Sequence, residues 1–288
     1  MMRSLTLWSP NDFNFRHLSL GLGILIVGGI SLIALFAPLL SPHDPYLQNL
    51  GQRMVPPFWM EGGMPAHLLG TDQLGRDYLS RLLYGVRVSM MIGTLTVITS
   101  GLIGITLGMV GGFFGGRMDS FVMFVITCRL SIPLILVALT VVALVGNSLT
   151  VIILTLGLLL WERFAVVART TTMQVARREY VDAARAAGAS LPSILAREVL
   201  PNILPHLVVV ATLEMAIAIL LEAALSFLGL GIPAPQPSLG LMISEARDFM
   251  FFTPWVIMVP GMALFVLVLG INLLGDGLRD MATGGRNP

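Results

Sequence analysis

Long apolar runs separated by short polar connections make up most of this 288-residue chain. An α-helix needs about 20 apolar residues to cross the hydrocarbon core of a bilayer, and six runs meet or approach that length. They comprise residues 18–40, 88–110, 120–145, 149–167, 203–221 and 253–274. The third run contains Pro133, which predicts a bend at that point. We therefore predict an all-α, polytopic membrane protein with six transmembrane helices.

Composition excludes several functional classes. Hydrophobic residues make up 56% of the chain and charged residues 11%, which excludes a water-soluble globule. The net charge of +1 gives no indication of nucleic-acid binding. The chain has no lysine, so it has neither a lysine-bearing phosphate loop nor a Schiff-base lysine. Cys128 is the only cysteine, which excludes an internal disulfide and a cysteine-based zinc site.

The histidines show no pattern typical of a metal site, because they are scattered without ligand spacing. They are His17, His43, His67 and His206. The chain also has no Gly-x-Ser-x-Gly motif of the kind that carries a hydrolase nucleophile. We therefore predict no metal, no cofactor and no catalytic residue in this chain.

Small residues mark one face of the second apolar run. Gly101, Gly104, Gly108 and Gly112 recur at three- and four-residue spacing. Such a face lets two membrane helices approach closely, so we predict helix packing along it.

The arginines predict the orientation, because positively charged residues favour the cytoplasmic side. With both termini inside, eleven arginines are cytoplasmic, five are outside and Arg129 lies within the bilayer. The cytoplasmic set is Arg3, Arg16, Arg117, Arg163, Arg169, Arg177, Arg178, Arg185, Arg197, Arg279 and Arg286, and the outer set is Arg53, Arg76, Arg81, Arg87 and Arg247. This orientation divides the chain into a cytoplasmic N-terminus with the first helix at 1–40, an extracytoplasmic loop at 41–87, a five-helix core at 88–280 and a cytoplasmic tail at 281–288.

The extracytoplasmic loop ends in an amphipathic stretch. Asp72 is a predicted helix N-cap, and Asp77 and Arg81 form a predicted i,i+4 ion pair. An apolar stripe follows from Tyr78 to Val86. The pattern predicts a short helix that lies on the membrane surface.

Residues 178–202 form a polar, helix-forming segment in this apolar chain. Strong helix formers predict a helix over 179–187, which Gly188 would end with a positive φ. Ser190 is a predicted cap for a second helix, and Pro201 and Pro205 are expected to end or kink it. The pattern by itself also fits an amphipathic helix on the membrane surface.

The segment resembles the cytoplasmic Glu-Ala-Ala-x3-Gly loop of ABC importer permeases. The matching residues are Asp182-Ala183-Ala184, Gly188 and Leu200-Pro201-Asn202, with Asp in place of the usual Glu and Glu198 where many relatives have His. The resemblance implies that the helix docks on an ATPase subunit and couples ATP hydrolysis to gating. The coupling residues that it implies are Glu179, Tyr180, Asp182, Ala183, Ala184, Gly188 and Pro201.

Two further stretches resemble the dipeptide/oligopeptide/nickel branch of these permeases: Gly70-Thr-Asp-x2-Gly-Arg-Asp-x-Leu-Ser-Arg81 and the run that starts at Glu222-Ala-Ala-Leu-Ser-Phe. The resemblance implies a type I importer core with one added N-terminal span in a bacterial inner membrane. The implied function is half of a peptide path, with nickel or another small solute as the alternative. The implied partners are a second permease subunit, two ATPase subunits and an extracytoplasmic binding protein.

Charged residues inside the predicted spans form a separate candidate site. Arg129, Glu214 and Glu222 are costly in hydrocarbon unless they are paired or hydrated. They are candidates for the translocation path or the permease interface, or they satisfy each other within the bundle. We predict that Arg129 has an acidic or backbone partner, and Glu214 and Glu222 are the first candidates. Related permeases commonly have Arg and Asp where this chain has Phe124 and Thr127, so no role is transferred to those positions.

Two other functional classes fit an apolar chain of this kind. A membrane-embedded hydrolase would need paired carboxylates, but Glu214 and Glu222 are eight residues apart, which is about 12 Å of helical rise. A passive channel would not need the polar cytoplasmic loop. Neighbouring genes for ATPases and a second permease would favour the importer.

Overall fold

The computed structural model describes the backbone of residues 10–284 and the side chains of residues 18–281. Within this part of the chain the fold is helical, and the only β pairing is a single bridge between Thr71 and Asp77. The helices are α1 Pro10–Leu40, α2 Tyr78–Phe114, α3 Gly116–Leu130, α4 Leu134–Val145, α5 Leu149–Leu159, α6 Glu162–Val175, α7 Glu179–Ala186, α8 Leu191–Ile194, α9 Leu200–Phe227, α10 Leu239–Ala246 and α11 Trp255–Gly284.

The six-span prediction is confirmed, with one span broken. Five segments are long and apolar enough to cross a bilayer, and the pair α3 and α4, bent by 77°, makes a sixth when it is counted as one broken span. The break lies at Ser131–Pro133, where Pro133 is the N-cap of α4. Proline has no N–H to continue the helix and disfavours helical geometry in the preceding residue, so the predicted bend becomes a complete interruption.

Contacts at both ends of the broken span show that it runs antiparallel to α5 and α6. At the start of α3, Asp119 accepts a 2.7 Å hydrogen bond from Arg169 in the middle of α6. At the other end, α4 packs against α5 in an apolar cluster that includes Val142 and Ile152. The two halves therefore act as one span.

The second span is longer than predicted and includes the stretch expected to lie on the membrane surface. Residues 78–114 form one continuous helix of 37 residues, so a separate interfacial helix is not present. Its first turns are covered by protein, because the Tyr78 ring packs edge-on against Trp255 with 5.5 Å between ring centres. The cap is also corrected: Asp77, not Asp72, accepts the N-cap bond from the Ser80 N–H.

The predicted glycine face of α2 does pack closely against another helix. A Cβ atom at Gly104 would overlap the carbonyl oxygen of Trp161, and one at Gly108 would overlap that of Ala165. Both contacts are with α6 or the residue before it, so only glycine allows the two backbones to lie this close. This packing holds the first turns of α6 against α2 in the bundle.

The first helix lies on the periphery of the core. It packs mainly against α11, where Gly23 approaches the backbone of Leu274 and Gly270 contacts Ile26. Most side chains on its other faces are exposed and apolar, including Leu25 and Leu39. A helix of this kind is suited to contact with lipid on those faces.

Candidate coupling loop and buried charge clusters

The polar segment folds into the short helix α7 that the sequence predicts. Gly188 has a φ of +83°, in the left-handed region that glycine adopts without strain. Its N–H donates to the Arg185 carbonyl at 3.0 Å, and the Ala189 N–H donates to the Ala184 carbonyl at 3.1 Å. This pair of bonds is typical of a helix that ends in a Schellman-type turn.

One apolar side chain attaches α7 to the bundle. Val181 is fully buried and packs in a cluster with Ile194, Val199 and Ile203, while Ala184 is half-buried against the same cluster. The other predicted coupling residues are exposed, namely Glu179, Tyr180, Asp182, Ala183, Gly188 and Pro201. The helix thus presents a mixed polar and small-residue surface outward and is anchored on one side only.

The return from α7 into the membrane is continuous helix, so the prolines do not end it. A π-helical turn at Leu195–Val199 joins α8 to α9. Pro201 lies in the first turn of α9, where a missing N–H costs little, and Pro205 lies inside the helix. The wider turn just before Pro201 is the local adjustment that replaces a break.

A cavity of about 670 Å³ lies beside α7, between the ends of α6 and α9. Its lining is polar and includes two arginines. The residues are Thr171, Gln174, Val175, Arg177, Arg178, Glu179, Tyr180, Asn202 and His206. Two predicted coupling residues, Glu179 and Tyr180, therefore face a concave surface as well as solvent.

Arg129 does have partners, but the predicted acids are wrong. Its Nη2 donates to the Leu159 carbonyl, its Nη1 donates to the Ile132 carbonyl at 3.4 Å, and its nearest acid is Glu162 at 3.9 Å. Both carbonyls are available because the helices are interrupted there, at Ser131–Pro133 and between α5 and α6. Sequence reasoning missed Glu162 because the interruption after Leu159 has no proline or glycine to signal it.

Glu214 lies in the same region with a different cation. Its Oε1 is 3.3 Å from the Nε of Arg163, yet among the described residues neither carboxylate oxygen has a hydrogen-bond donor. Glu214 is 1% exposed, so this buried carboxylate can still accept hydrogen bonds at both of its oxygens. A cavity of about 280 Å³ lies beside this pair, and its lining includes Glu162, Arg163 and Glu214.

Glu222 lies apart from these charges. One carboxylate oxygen accepts hydrogen bonds from Ser226 at 2.7 Å and from Ser238 at 2.8 Å. The side chain is fully buried, and Ser238 is the N-cap of α10. Glu222 therefore fastens α10 to α9 inside this subunit, and the structure does not bring it to Arg129.

The stretch 70–81 builds an ion cluster on the opposite end of the bundle from α7. The Arg76 Nε donates to Asp72 at 2.6 Å, and Arg81 lies between Asp72 and Glu245 of α10, at 2.9 Å from the latter. The predicted Asp77–Arg81 pair is therefore not formed, because Arg81 turns to Asp72. Burial alone would raise the pKa of Asp72, but the two guanidinium groups and the Arg76 N–H outweigh it and hold that pKa below its usual range.

Asp77 instead contacts two histidines that are far apart in the sequence. The Nδ1 atoms of His67 and His43 lie 2.8 Å and 3.5 Å from its Oδ1. The expectation that the histidines are scattered without a metal-like arrangement is therefore wrong for this pair. The spacing in the sequence does not reveal this cluster, because its three residues come from the chain just after α1, the following loop and the cap of α2.

Comparison with known proteins identifies the fold family. Residues 104–282 match the family described as binding-protein-dependent transport system inner membrane component. This chain belongs to that family. Residues 19–57 also match the N-terminal transmembrane domain of oligopeptide transport permease C.

Several curated permeases are similar along nearly the whole chain. The dipeptide transport system permease protein DppC of Haemophilus influenzae is 39% identical over 90% of this chain and 88% of its own length. The di/tripeptide transport system permease protein DppC of Pseudomonas aeruginosa is 41% identical over 90% of this chain and 85% of its own length. The dipeptide transport system permease protein DppC of Escherichia coli K12 is 40% identical over 90% of this chain and 86% of its own length.

A solved structure confirms the predicted core. An inward-facing form of the MetNI methionine ABC transporter covers 70% of this chain and 96% of the matched chain, with a TM-score of 0.58 and 20% identity. At that identity the match shows the fold alone. The permease thus has the type I importer architecture, with the added first helix accounting for part of the remaining length.

Proposed function

We propose that this permease is the membrane subunit of an ATP-driven importer for dipeptides and short oligopeptides in a bacterial inner membrane. Its support is the similarity to three DppC proteins whose names specify dipeptides or di/tripeptides. Nickel or another small solute is the competing substrate and enters the test below. A binding protein would deliver the substrate, and a second permease subunit would complete the path.

The exposed helix α7 is the observation that carries the ATP-coupling part of this proposal. It projects from the bundle with one buried anchor, Val181, and it carries Asp182-Ala183-Ala184 and Gly188 on a surface open to a partner. The chain contains no lysine and hence no lysine-bearing phosphate loop, so hydrolysis would take place in two separate ATPase subunits. Movement of α7 would pass to the spans through the apolar cluster around Val181.

Both termini are proposed to be cytoplasmic, which places α7 inside the cell and residues 41–77 outside. The excess of arginines on the proposed inner side supports this orientation. Reporter fusions would test it: an enzyme active only outside the cytoplasm should work after Gly63 and fail after Gly116 or Ser190. Activity after Ser190 would reverse the assignment.

The cavity beside Glu214, with Arg129 nearby on the other side of Glu162, is proposed to line the translocation path or its junction with the second permease. A dipeptide carries an ammonium and a carboxylate group, and this region offers both an underused carboxylate and guanidinium groups. Charges of both signs within a bilayer-spanning bundle are typical of transport pathways. Glu222 is left out of the path, because it is fully buried and one of its oxygens joins Ser226 and Ser238 within the subunit.

Transport by the complete complex tests the proposal. The permease would be purified with its second permease and ATPase subunits, reconstituted in liposomes, and supplied with the binding protein. We expect ATP-dependent accumulation of a labelled dipeptide, and none of nickel ions. ATP-dependent nickel accumulation without dipeptide accumulation would overturn the substrate assignment, and accumulation without ATP would overturn the importer.

A further inference from the structure

We propose that His43, His67 and Asp77 bind a divalent transition-metal ion, for which zinc is the best-matched ion. The three side chains offer two imidazole nitrogens and one carboxylate oxygen within 4.8 Å of one another. Zinc accepts this combination of ligands and leaves a fourth position for water. The site would join the chain just after α1, the following loop and the first turn of α2.

The two distances from the histidines to Asp77 are close to those between ligands of such an ion. Ligands about 2.0–2.1 Å from a tetrahedral zinc lie roughly 3.3–3.5 Å apart. The Nδ1 of His43 is 3.5 Å from the Asp77 Oδ1, which matches that spacing and is long for a hydrogen bond. The Nδ1 of His67 is 2.8 Å from the same oxygen, so binding requires this pair to separate by about half an ångström.

The carboxylate of Asp77 is held in the required orientation. Its Oδ2 accepts hydrogen bonds from the N–H of Ser80 at 2.8 Å and from the hydroxyl of Ser80 at 2.6 Å. Its Oδ1 is left facing the two imidazoles. Neighbouring groups that fix a metal ligand in this way are a regular part of metal sites.

The hydrogen bonds of His67 are compatible with such a site. The Gln52 Oε1 accepts a 2.9 Å bond from the Asn49 amide and lies 3.3 Å from the His67 Nε2. In the ring tautomer with the proton on Nε2, that nitrogen donates to Gln52 and the lone pair of Nδ1 faces the Asp77 oxygen. A cation bound by Nδ1 and Asp77 fits this tautomer. The alternative is the other tautomer, in which the Nδ1–H donates directly to Asp77.

Metal titration of the purified complex separates these alternatives. The permease would be prepared with its partner subunits, a histidine-free affinity tag and chelator treatment, and then titrated with Zn²⁺ against a chromophoric chelator. We expect one zinc ion per chain at this site, and a Co²⁺ absorption spectrum typical of low coordination number. Absence of zinc binding by the unaltered chain would overturn the proposal in favour of a direct hydrogen bond between His67 and Asp77.

Variants of His43 test the location of the site, because this side chain is 39% exposed and its replacement leaves no cavity in the core. His43→Ala should weaken zinc binding at least tenfold, whereas His206→Ala, a change on the proposed cytoplasmic side, should leave it unchanged. His43→Cys should restore binding and add a sulfur-to-Co²⁺ charge-transfer band. Equal affinity for the unaltered chain and His43→Ala would place the ion elsewhere and refute the site.

Discussion

The Arg185 guanidinium lies over the Phe113 ring, with 4.8 Å from its central carbon to the ring centre. Arg185 belongs to the exposed helix α7, and Phe113 is next to the last residue of the membrane helix α2. The contact therefore joins the proposed ATPase-docking helix directly to a span. It adds a second connection to the one that Val181 makes through the apolar cluster.

Loss of this contact should reduce coupling without removing ATPase binding. A cation–π pair at an exposed site contributes about 0.5–1 kcal/mol, which corresponds to about a two- to fivefold change in an equilibrium. We expect Phe113→Leu to lower substrate-stimulated ATP hydrolysis and uptake by about that factor, while ATPase subunits still co-purify. Phe114→Leu, at the neighbouring exposed ring, is the matched control and should have no effect. Equal behaviour of the two variants would remove any coupling role from Phe113.

Gly188 should be required for the shape of the docking helix. Its φ of +83° costs an L-residue about 1–2 kcal/mol, and a β-branched residue more. We expect Gly188→Val to insert and pair with the second permease but to lose co-purification of the ATPase subunits and hence uptake. Gly188→Asn should retain both, because asparagine tolerates this conformation. Normal uptake by Gly188→Val would contradict the coupling assignment.

The Arg129 interaction can be measured with a double-mutant cycle. Hydrogen bonds to a charged group contribute about 1.5–3 kcal/mol, so Arg129→Leu should lower the thermal stability of the complex by several degrees. Arg129→Leu combined with Glu162→Gln should be less damaging than the sum of the two changes, because neutralising both avoids an unpaired buried charge. The same cycle with Glu222→Gln should be additive. If the effects of Arg129→Leu and Glu162→Gln are also additive, only the backbone carbonyls of Ile132 and Leu159 stabilise Arg129.

The sequence predicts features that depend on local chemistry. The six spans, the bend at Pro133 and the positive φ of Gly188 follow from hydrophobic length, a missing N–H and glycine conformation, and all three are found. Partners of charged groups were not predictable, because they depend on which elements meet in space. Arg81 turns to Asp72 and Glu245 rather than to Asp77, and the 43–67–77 cluster joins three separate segments.

Asp72 should make the stability of the loop 41–77 depend on pH. Its folded pKa is lowered from the ordinary value of 3.8 by Arg81 and Arg76, so the ionised form is stabilised by folding. The contribution of this ionised carboxylate to the free energy of unfolding is complete above pH 3.8, and it is lost as the pH falls from there through the lower folded pKa.

We expect the melting temperature of the unaltered permease to fall between pH 5 and pH 3. The melting temperature of Asp72→Asn should already be lower at pH 5, and it should change less between pH 5 and pH 3. Asp248→Asn, whose carboxylate is 75% exposed, is the matched control and should follow the unaltered chain. Identical pH profiles for Asp72→Asn and the unaltered chain would show that another carboxylate governs this acid sensitivity.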